Sequence, residues 1–261
     1  MATYVVGDIH GCYDEWIALK DRIESRDKQA KFILVGDIID RGPKTFKMLN
    51  WAIQNVTEHG KYQMIVGNHE DEKLQWWNTR CADVVERCIL THQPITIEVI
   101  PNDRYDFIAI FKKAKADLMI VQQIMDWFEA LPLYKDIHVN GRRFVIVHAN
   151  LPYEAISKED ENSLIKNINP RVRDFMLWDR EMSDFNKLKN TILVHGHNAS
   201  VFPDSFPAFG ENQFTPEKLG RIIKCKNRYN IDCGLTYRSY YGYGNLAALR
   251  LEDLKEIYLY N

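Results

Sequence analysis

Asp8 and His10, Asp37, Asn68 and His69, His148 and His197 each stand at, or within a few residues of, the end of a short apolar run. Carboxylate, amide and imidazole donors in this mixture suit hard or borderline divalent ions such as Mn²⁺, Fe²⁺ or Zn²⁺. Two such ions about 3.5–4 Å apart need a shared carboxylate, and together they clamp both oxygens of an in-line displacement at phosphorus. Asp37 follows the middle of the first three runs, which makes it the natural bridge. A lone Asp after a strand is ordinarily a turn or cap residue. The whole set, gathered on one rim, is what points to metal.

The elements that must position these residues follow from the apolar pattern. Tyr4–Val6, Phe32–Val35 and Tyr62–Val66 predict three strands, each ending in Gly and a polar residue. Between them the periodicity predicts helices over 13–26, with Trp16, Leu19 and Ile23 on one face, and over 43–56, with Pro43 in the first turn. Alternation at this spacing predicts a parallel or mixed sheet covered by helices, with the ligand site at the carboxyl ends of the strands. Residues 69–130 read as mostly helical, interrupted near Pro94–Pro101. Strands resume from 132: the runs in 142–150 and 190–198 end in histidine, and 228–234 and 245–260 read as closing strands. Residues 199–227, with three prolines, read as a surface excursion. No repeat, low-complexity tract or linker divides the chain, so 1–261 reads as a single domain with a helical insert at about 79–130.

The motifs "GDIHG" (7–11), "GDIIDRG" (36–42) and "GNHE" (67–70), in this order and spacing, resemble the signatures of the serine/threonine-type phosphoprotein phosphatase family of calcineurin-like dinuclear metallophosphoesterases. "HAN" (148–150), "WDR" (178–180), "GHN" (196–198) and "IDCG" (231–234) resemble the continuation in compact bacterial and bacteriophage members, which are related to symmetrical diadenosine tetraphosphatases. The resemblance implies an α/β fold (α+β in some schemes): a β-sandwich of mixed sheets flanked by helices, in four layers. It implies two divalent ions, Mn²⁺ foremost with Fe or Zn as alternatives. Asp8 and His10 would bind the first, Asp37 would bridge, and Asn68, His148 and His197 would bind the second. It makes His69 the general acid, with Asp40 hydrogen-bonded to it to hold its proton, and Arg41 and Arg180 the grip on phosphate oxygens. A metal-bridging hydroxide would attack phosphorus directly. The superfamily's GHxH ending is absent: Gly196-His197-Asn198-Ala199 agrees with the phosphoprotein phosphatase pattern.

Other residues near the motifs have plainer readings. Glu70 reads as a support for the ligands, His195 as a half-buried strand histidine, and Cys12 and Cys233 as small core fillers. His59, His92 and His138 read as surface or packing residues, and "YRSYYGY" (237–243) as aromatic packing beside the site.

The bulk composition excludes several classes. A formal net charge of −2 gives no reason to expect nucleic acid or an anionic membrane as partner. Five cysteines without a CxxC pair argue against a disulfide framework or structural zinc and for the reducing cytoplasm. "MATYVVGDIHG" reads as a first strand and not a signal peptide, and no apolar run approaches the ~18 residues of a membrane span.

The substrate expected is therefore a phosphoester, either a phosphorylated protein or a small molecule. The residues favour a protein phosphatase acting on phosphoserine and phosphothreonine, extending to phosphotyrosine. A symmetrical bis(5'-nucleosyl)-tetraphosphate hydrolase is the alternative, favoured by the N-terminal 20 residues and the proline in "RGP". Against it stand Asp40, where those enzymes tend to have alanine, and "GNHE" where they have GNHD. "LPYEAI" (151–156) and "WDRE" (178–181) also favour the phosphatase. A non-catalytic metal-binding scaffold is the remote third reading, since every expected ligand and the acid pair are present.

Overall fold

The computed structural model describes residues 2–151, 168–180, 191–202 and 216–261. Strand β1 (Thr3–Val6) leads through α1 (Tyr13–Glu24) to β2 (Lys31–Leu34), then through α2 (Thr45–Asn55) to β3 (Tyr62–Met64) and α3 (Asn68–Leu90). The β1–β2 and β2–β3 pairs are parallel, so the three Gly-polar endings meet at one edge. In α1, Trp16, Leu19 and Ile23 are fully buried against this sheet as their spacing requires. Each such side chain contributes about 1.5–3 kcal/mol through burial. Pro43 differs from expectation: it lies two residues before the first helical residue, Thr45, and Lys44 is the N-cap.

The helical stretch after β3 is broken more often than the sequence pattern suggests. α3 runs unbroken through residue 79 from the motif to Leu90. After an irregular segment with one tight turn at Ile97–Val99 come α4 (Phe107–Lys113) and α5 (Leu118–Ala130). Phe107, Phe111, Val121, Ile124, Met125 and Phe128 pack into the same core cluster as Trp16 and Leu34.

The second sheet follows: β4 (Tyr134–Val139), β5 (Arg142–Val147), then α6 (Pro170–Trp178), β6 (Thr191–His195), β7 (Ile223–Cys225) and β8 (Arg228–Asn230). After the short α7 (Arg238–Tyr241), β9 (Ala247–Arg250) and β10 (Lys255–Tyr258) return to the first sheet. The sheet orders are β10-β9-β1-β2-β3 and β4-β5-β6-β8-β7. Val5, Ile33 and Leu249 of the first sheet face Phe144, Ile146, Val194 and Tyr229 of the second across one apolar layer. α1, α2, α3 and α5 cover the first sheet's outer face, while Met176 and Leu177 of α6 cover Val145, Val147 and Leu193 of the second. This is the expected sandwich of mixed sheets between helical layers. Among the described residues no helix is long and apolar enough to cross a membrane.

The expected surface excursion at 199–227 is partly buried instead. Ala199, Ser200, Val201, Ile222 and Ile223 are all buried; Ile222 packs into the inter-sheet layer, and the Ser200 N–H donates to the Asp232 carbonyl at 2.9 Å. Residues 203–215, the "PYEAI" part of the 151–156 segment, and Glu181 lie outside the described residues.

Candidate metal centre

The loops that carry the polar residues are held in conformations that side chains rarely adopt. His10, Asp37, Asp40, Arg41 and His197 all have positive φ, between 45° and 70°. For such residues this costs on the order of 1–2 kcal/mol each. Two glycines make the approach possible. Gly36 has φ +94°, and a side chain there would strike the Gly67 backbone; one at Gly196 would strike the Asp8 carboxylate.

Glu70 is the hidden support, as its position in "GNHE" suggests. Its carboxylate accepts the N–H groups of Asp37 at 2.8 Å, Ile38 at 3.0 Å and Gly67 at 3.0 Å, tying the β2 loop to the start of α3. Burial, aided by the nearby Asp37 charge, pushes the Glu70 carboxyl up to about 7. Asp37 sits at the α3 N-terminus, where its Oδ1 accepts the His69 N–H at 2.9 Å and the helix dipole favours its negative charge.

Two groups of buried donors converge on Asp37. Ligand atoms of His10, Asp37 and His69 all lie within 4.8 Å of one another, and so do those of Asp37, His148 and His197. Asn68 joins the second group: its Oδ1 lies 2.7 Å from His148 Nε2 and 2.8 Å from His197 Nδ1. His10 Nδ1 donates to the Ile39 carbonyl at 3.0 Å and His148 Nδ1 to the Val35 carbonyl at 2.8 Å, leaving both Nε2 atoms aimed into the site. Asp8 lies beside these groups and in neither. Its Oδ2 accepts the His197 N–H at 3.1 Å and its Oδ1 lies against Gly196.

The donor chemistry fits metal ions. Asp8 Oδ1 and His197 Nε2 are buried without a hydrogen-bond partner. Around Asn68 Oδ1, ring nitrogens of His148 and His197 converge within hydrogen-bond distance beside Asp37, a donor set that suits a cation. Burial opposes charge on His148, yet Asp37 and Asp8 outweigh it and hold its imidazole up at about 10. Burial together with Asp232 and Asp37 pushes the Asp8 carboxyl well up. Burial, and then the Arg41 charge, pushes His10 well down, favouring the neutral imidazole a metal ligand requires.

The hydrogen bond expected between His69 and Asp40 is present: His69 Nδ1 donates to Asp40 Oδ2 at 2.7 Å. The exposed Arg41 reaches both imidazoles, donating from Nη1 to His10 Nε2 at 2.9 Å and from Nη2 to His69 Nε2 at 3.0 Å. Arg180, also exposed, donates to Asn198 Oδ1 at 3.0 Å and contributes to the depressed pKa of His197, behind burial and the His148 charge.

Some residues were missed by the sequence reading. Asp232 of "IDCG" is buried beside the site, and burial pushes it up to about 6. Lys73, Asp103 and Tyr105 cluster behind the His69–Asp40 hydrogen bond; of the three only Lys73, one helical turn after His69, could be placed from the sequence. His195 is fully buried, not half-buried, because Arg228 Nε donates to its Nε2 at 2.8 Å inside the second sheet. Cys12 and Cys233 are core fillers as expected, and burial pushes the Cys12 thiol up to about 12. His59, His92 and His138 are exposed. Tyr237, Tyr241 and Phe202 pack on one another, while Tyr240 is open to solvent.

Comparison with known proteins places this site in context. The family described as Calcineurin-like phosphoesterase matches residues 1–233. The asymmetrical bis(5'-nucleosyl)-tetraphosphatase PrpE of Bacillus velezensis is 26% identical over 186 residues, covering 68% of this chain and 64% of that protein. The symmetrical bis(5'-nucleosyl)-tetraphosphatase of Haemophilus influenzae (strain Rd) is 31% identical over 153 residues, covering 58% and 45%. The chain thus spans less than two thirds of the first relative and less than half of the second. A point mutant of a cold-active protein tyrosine phosphatase shares the fold, with a TM-score of 0.56 at 15% identity, covering 98% of this chain and 80% of that one.

Proposed function

The chain belongs to the calcineurin-like phosphoesterase family, and from that premise we propose that it is a metal-dependent phosphoester hydrolase with a dinuclear centre built on Asp37. The observation that carries this reading is one buried carboxylate shared by two donor groups. Asp8, His10 and Asp37 would hold one ion, and Asp37, Asn68, His148 and His197 the other. Mn²⁺ suits this oxygen and nitrogen set, with iron and zinc as competitors. Such ions, when bound, supply Lewis acidity and make water nucleophilic near neutral pH. The remaining work falls to the chain's own groups. Arg41 and Arg180 bind and orient the phosphoryl oxygens through planar guanidinium groups. His69, with Nδ1 fixed by Asp40, would deliver a proton from Nε2 to the departing oxygen once Arg41 has turned from that nitrogen to the phosphoryl group. The packing of the inserted helices into the main core supports reading residues 1–261 as one domain.

Among phosphoesters we favour phosphorylated serine and threonine side chains, with phosphotyrosine as a further substrate. An alkoxide is a poor leaving group and needs a proton as its bond to phosphorus breaks, whereas a nucleotide departing as a phosphate anion does not. The buried Asp40–His69 pair serves the first case. Hydrolysis of a dinucleoside tetraphosphate is the second reading, supported by the names of the two relatives. The test is a competition with Mn²⁺-loaded protein between a phosphoserine peptide and diadenosine tetraphosphate. A specificity constant higher for the peptide supports the first reading. A higher constant for the dinucleotide replaces it, and the product pattern then separates symmetrical from asymmetrical cleavage. Two Mn²⁺ bound with turnover of neither substrate overturns both.

A further inference from the structure

Lys73 lies on α3 one turn beyond His69, where residues four apart share a helix face. Its side chain is 1% exposed. A lysine is retained at such depth only when carboxylates surround it. Here Nζ lies 3.1 Å from Asp40 Oδ2 and 2.8 Å from Asp103 Oδ2. Asp103 comes from the irregular segment before α4 and belongs to no motif. It is itself fixed, with Oδ1 accepting the Ile108 N–H at 2.9 Å and Oδ2 the Tyr105 N–H at 3.2 Å. Tyr105 closes the cluster. Its ring centre lies 4.7 Å from Lys73 Nζ and 5.0 Å from the His69 ring.

The arrangement constrains Asp40. One oxygen, Oδ2, accepts the His69 Nδ1–H and forms an ion pair with the Lys73 ammonium, while Oδ1 is buried with no hydrogen-bond partner. The carboxylate is thereby aimed, and its rotation would break two contacts at once. Asp103 pairs with the same ammonium, so Lys73 is held between two carboxylates beside the His69–Asp40 hydrogen bond.

We propose that Lys73, Asp103 and Tyr105 are positioning residues for His69, so that the segment joining α3 to α4 forms the back wall of the general acid. This rests on His69 being the acid. Lys73 and Asp103 act through Asp40 and touch no substrate; Tyr105 packs on the His69 ring. The segment between α3 and α4 is then part of the proton-delivery apparatus.

The test uses the Mn²⁺-loaded full chain and two substrates, an alkyl phosphate with a poor leaving group and p-nitrophenyl phosphate with a good one. His69→Asn serves as reference. Lys73→Met and Asp103→Asn are each expected to lower kcat for the alkyl phosphate by about 10–100-fold. For p-nitrophenyl phosphate the expected loss is less than about three-fold, with KM and bound Mn²⁺ unchanged, because the leaving group needs little protonation. Placed in the His69→Asn background, neither substitution lowers kcat further. In metal-free protein, the downfield proton signal of the His69–Asp40 hydrogen bond should weaken in both variants. Equal losses on the two substrates, or a further loss on top of His69→Asn, overturn the proposal. If His69→Asn itself shows no leaving-group dependence, the acid assignment fails first and the proposal falls with it. Should Lys73→Met not fold, Asp103→Asn alone decides by the same readouts.

Discussion

At the scale of single residues, Asp37 is the side chain on which everything converges. Asp37→Asn keeps the shape and the hydrogen bond from the His69 N–H but removes the charge two ions would share. Calorimetric titration should show Mn²⁺ stoichiometry falling below two and turnover lost, with an unchanged circular dichroism spectrum. A variant that still binds two ions with normal turnover would refute the bridge. Glu70 makes a different prediction, since it accepts three backbone N–H groups and faces no substrate. Glu70→Ala leaves three buried donors unpaired and should cost about 2–4 kcal/mol in urea unfolding. It should also weaken Mn²⁺ binding about 10–100-fold, because the Asp37 loop loses its tie to α3. Asp37, Asp40, His69, His148 and His197 were legible in the sequence because each lies beside a strand end within a compact motif. Asp103 was not. It acts across a fold contact, and nothing in "IPNDRYD" distinguishes it from a turn aspartate.

At the scale of elements, Glu24 at the end of α1 ties the helix to the neighbouring strand. It accepts from the Tyr62 hydroxyl at 2.5 Å and pairs with Lys61 at 2.6 Å and Lys20 at 3.1 Å. Burial raises its carboxyl, but these three partners outweigh it and hold the group down at about 2, against an ordinary 4.5. The folded form is thus the stronger acid. The contribution is present above pH 4.5 and is lost as pH falls towards 2. Glu24→Gln should lower metal-free stability by about 1–2 kcal/mol at pH 7, with the difference shrinking steadily on acidification. A penalty that stayed constant with pH would point to shape instead of charge. The strands were legible as apolar runs and α1 as a clean buried face. Less legible was the region after α3. There the breaks at Thr91 and Ala114 depend on packing of Ile97, Phe107 and Phe111 into a core that local sequence does not define.

At the scale of the whole molecule, donors come from both sheets: Asp8, His10, Asp37, Asn68 and His69 from the first, His148 and His197 from the second. Ions held between them should clamp the two layers. Chelation should lower the melting temperature, and Mn²⁺ at about 100 times its Kd should restore about 2.7 kcal/mol. A melting temperature indifferent to chelator would mean the donors bind no metal in the folded state. The mixed sheets were foreseeable from the alternation of runs. Their order was not, because β9 pairs with β1 across almost the whole sequence, a contact no local pattern encodes.

That pairing also sets a timetable. β1 carries the first motif and leaves the ribosome before the other strands described, yet its antiparallel neighbour, Ala247–Arg250, is among the last of them to emerge. Until then one side of β1 offers unpaired N–H and C=O groups. An early part of the nascent chain must therefore wait for a late one, and the Asp8 loop can settle only after β9 is free to join it. A centre that also draws His148 and His197 from the second sheet would be complete only after both sheets have emerged.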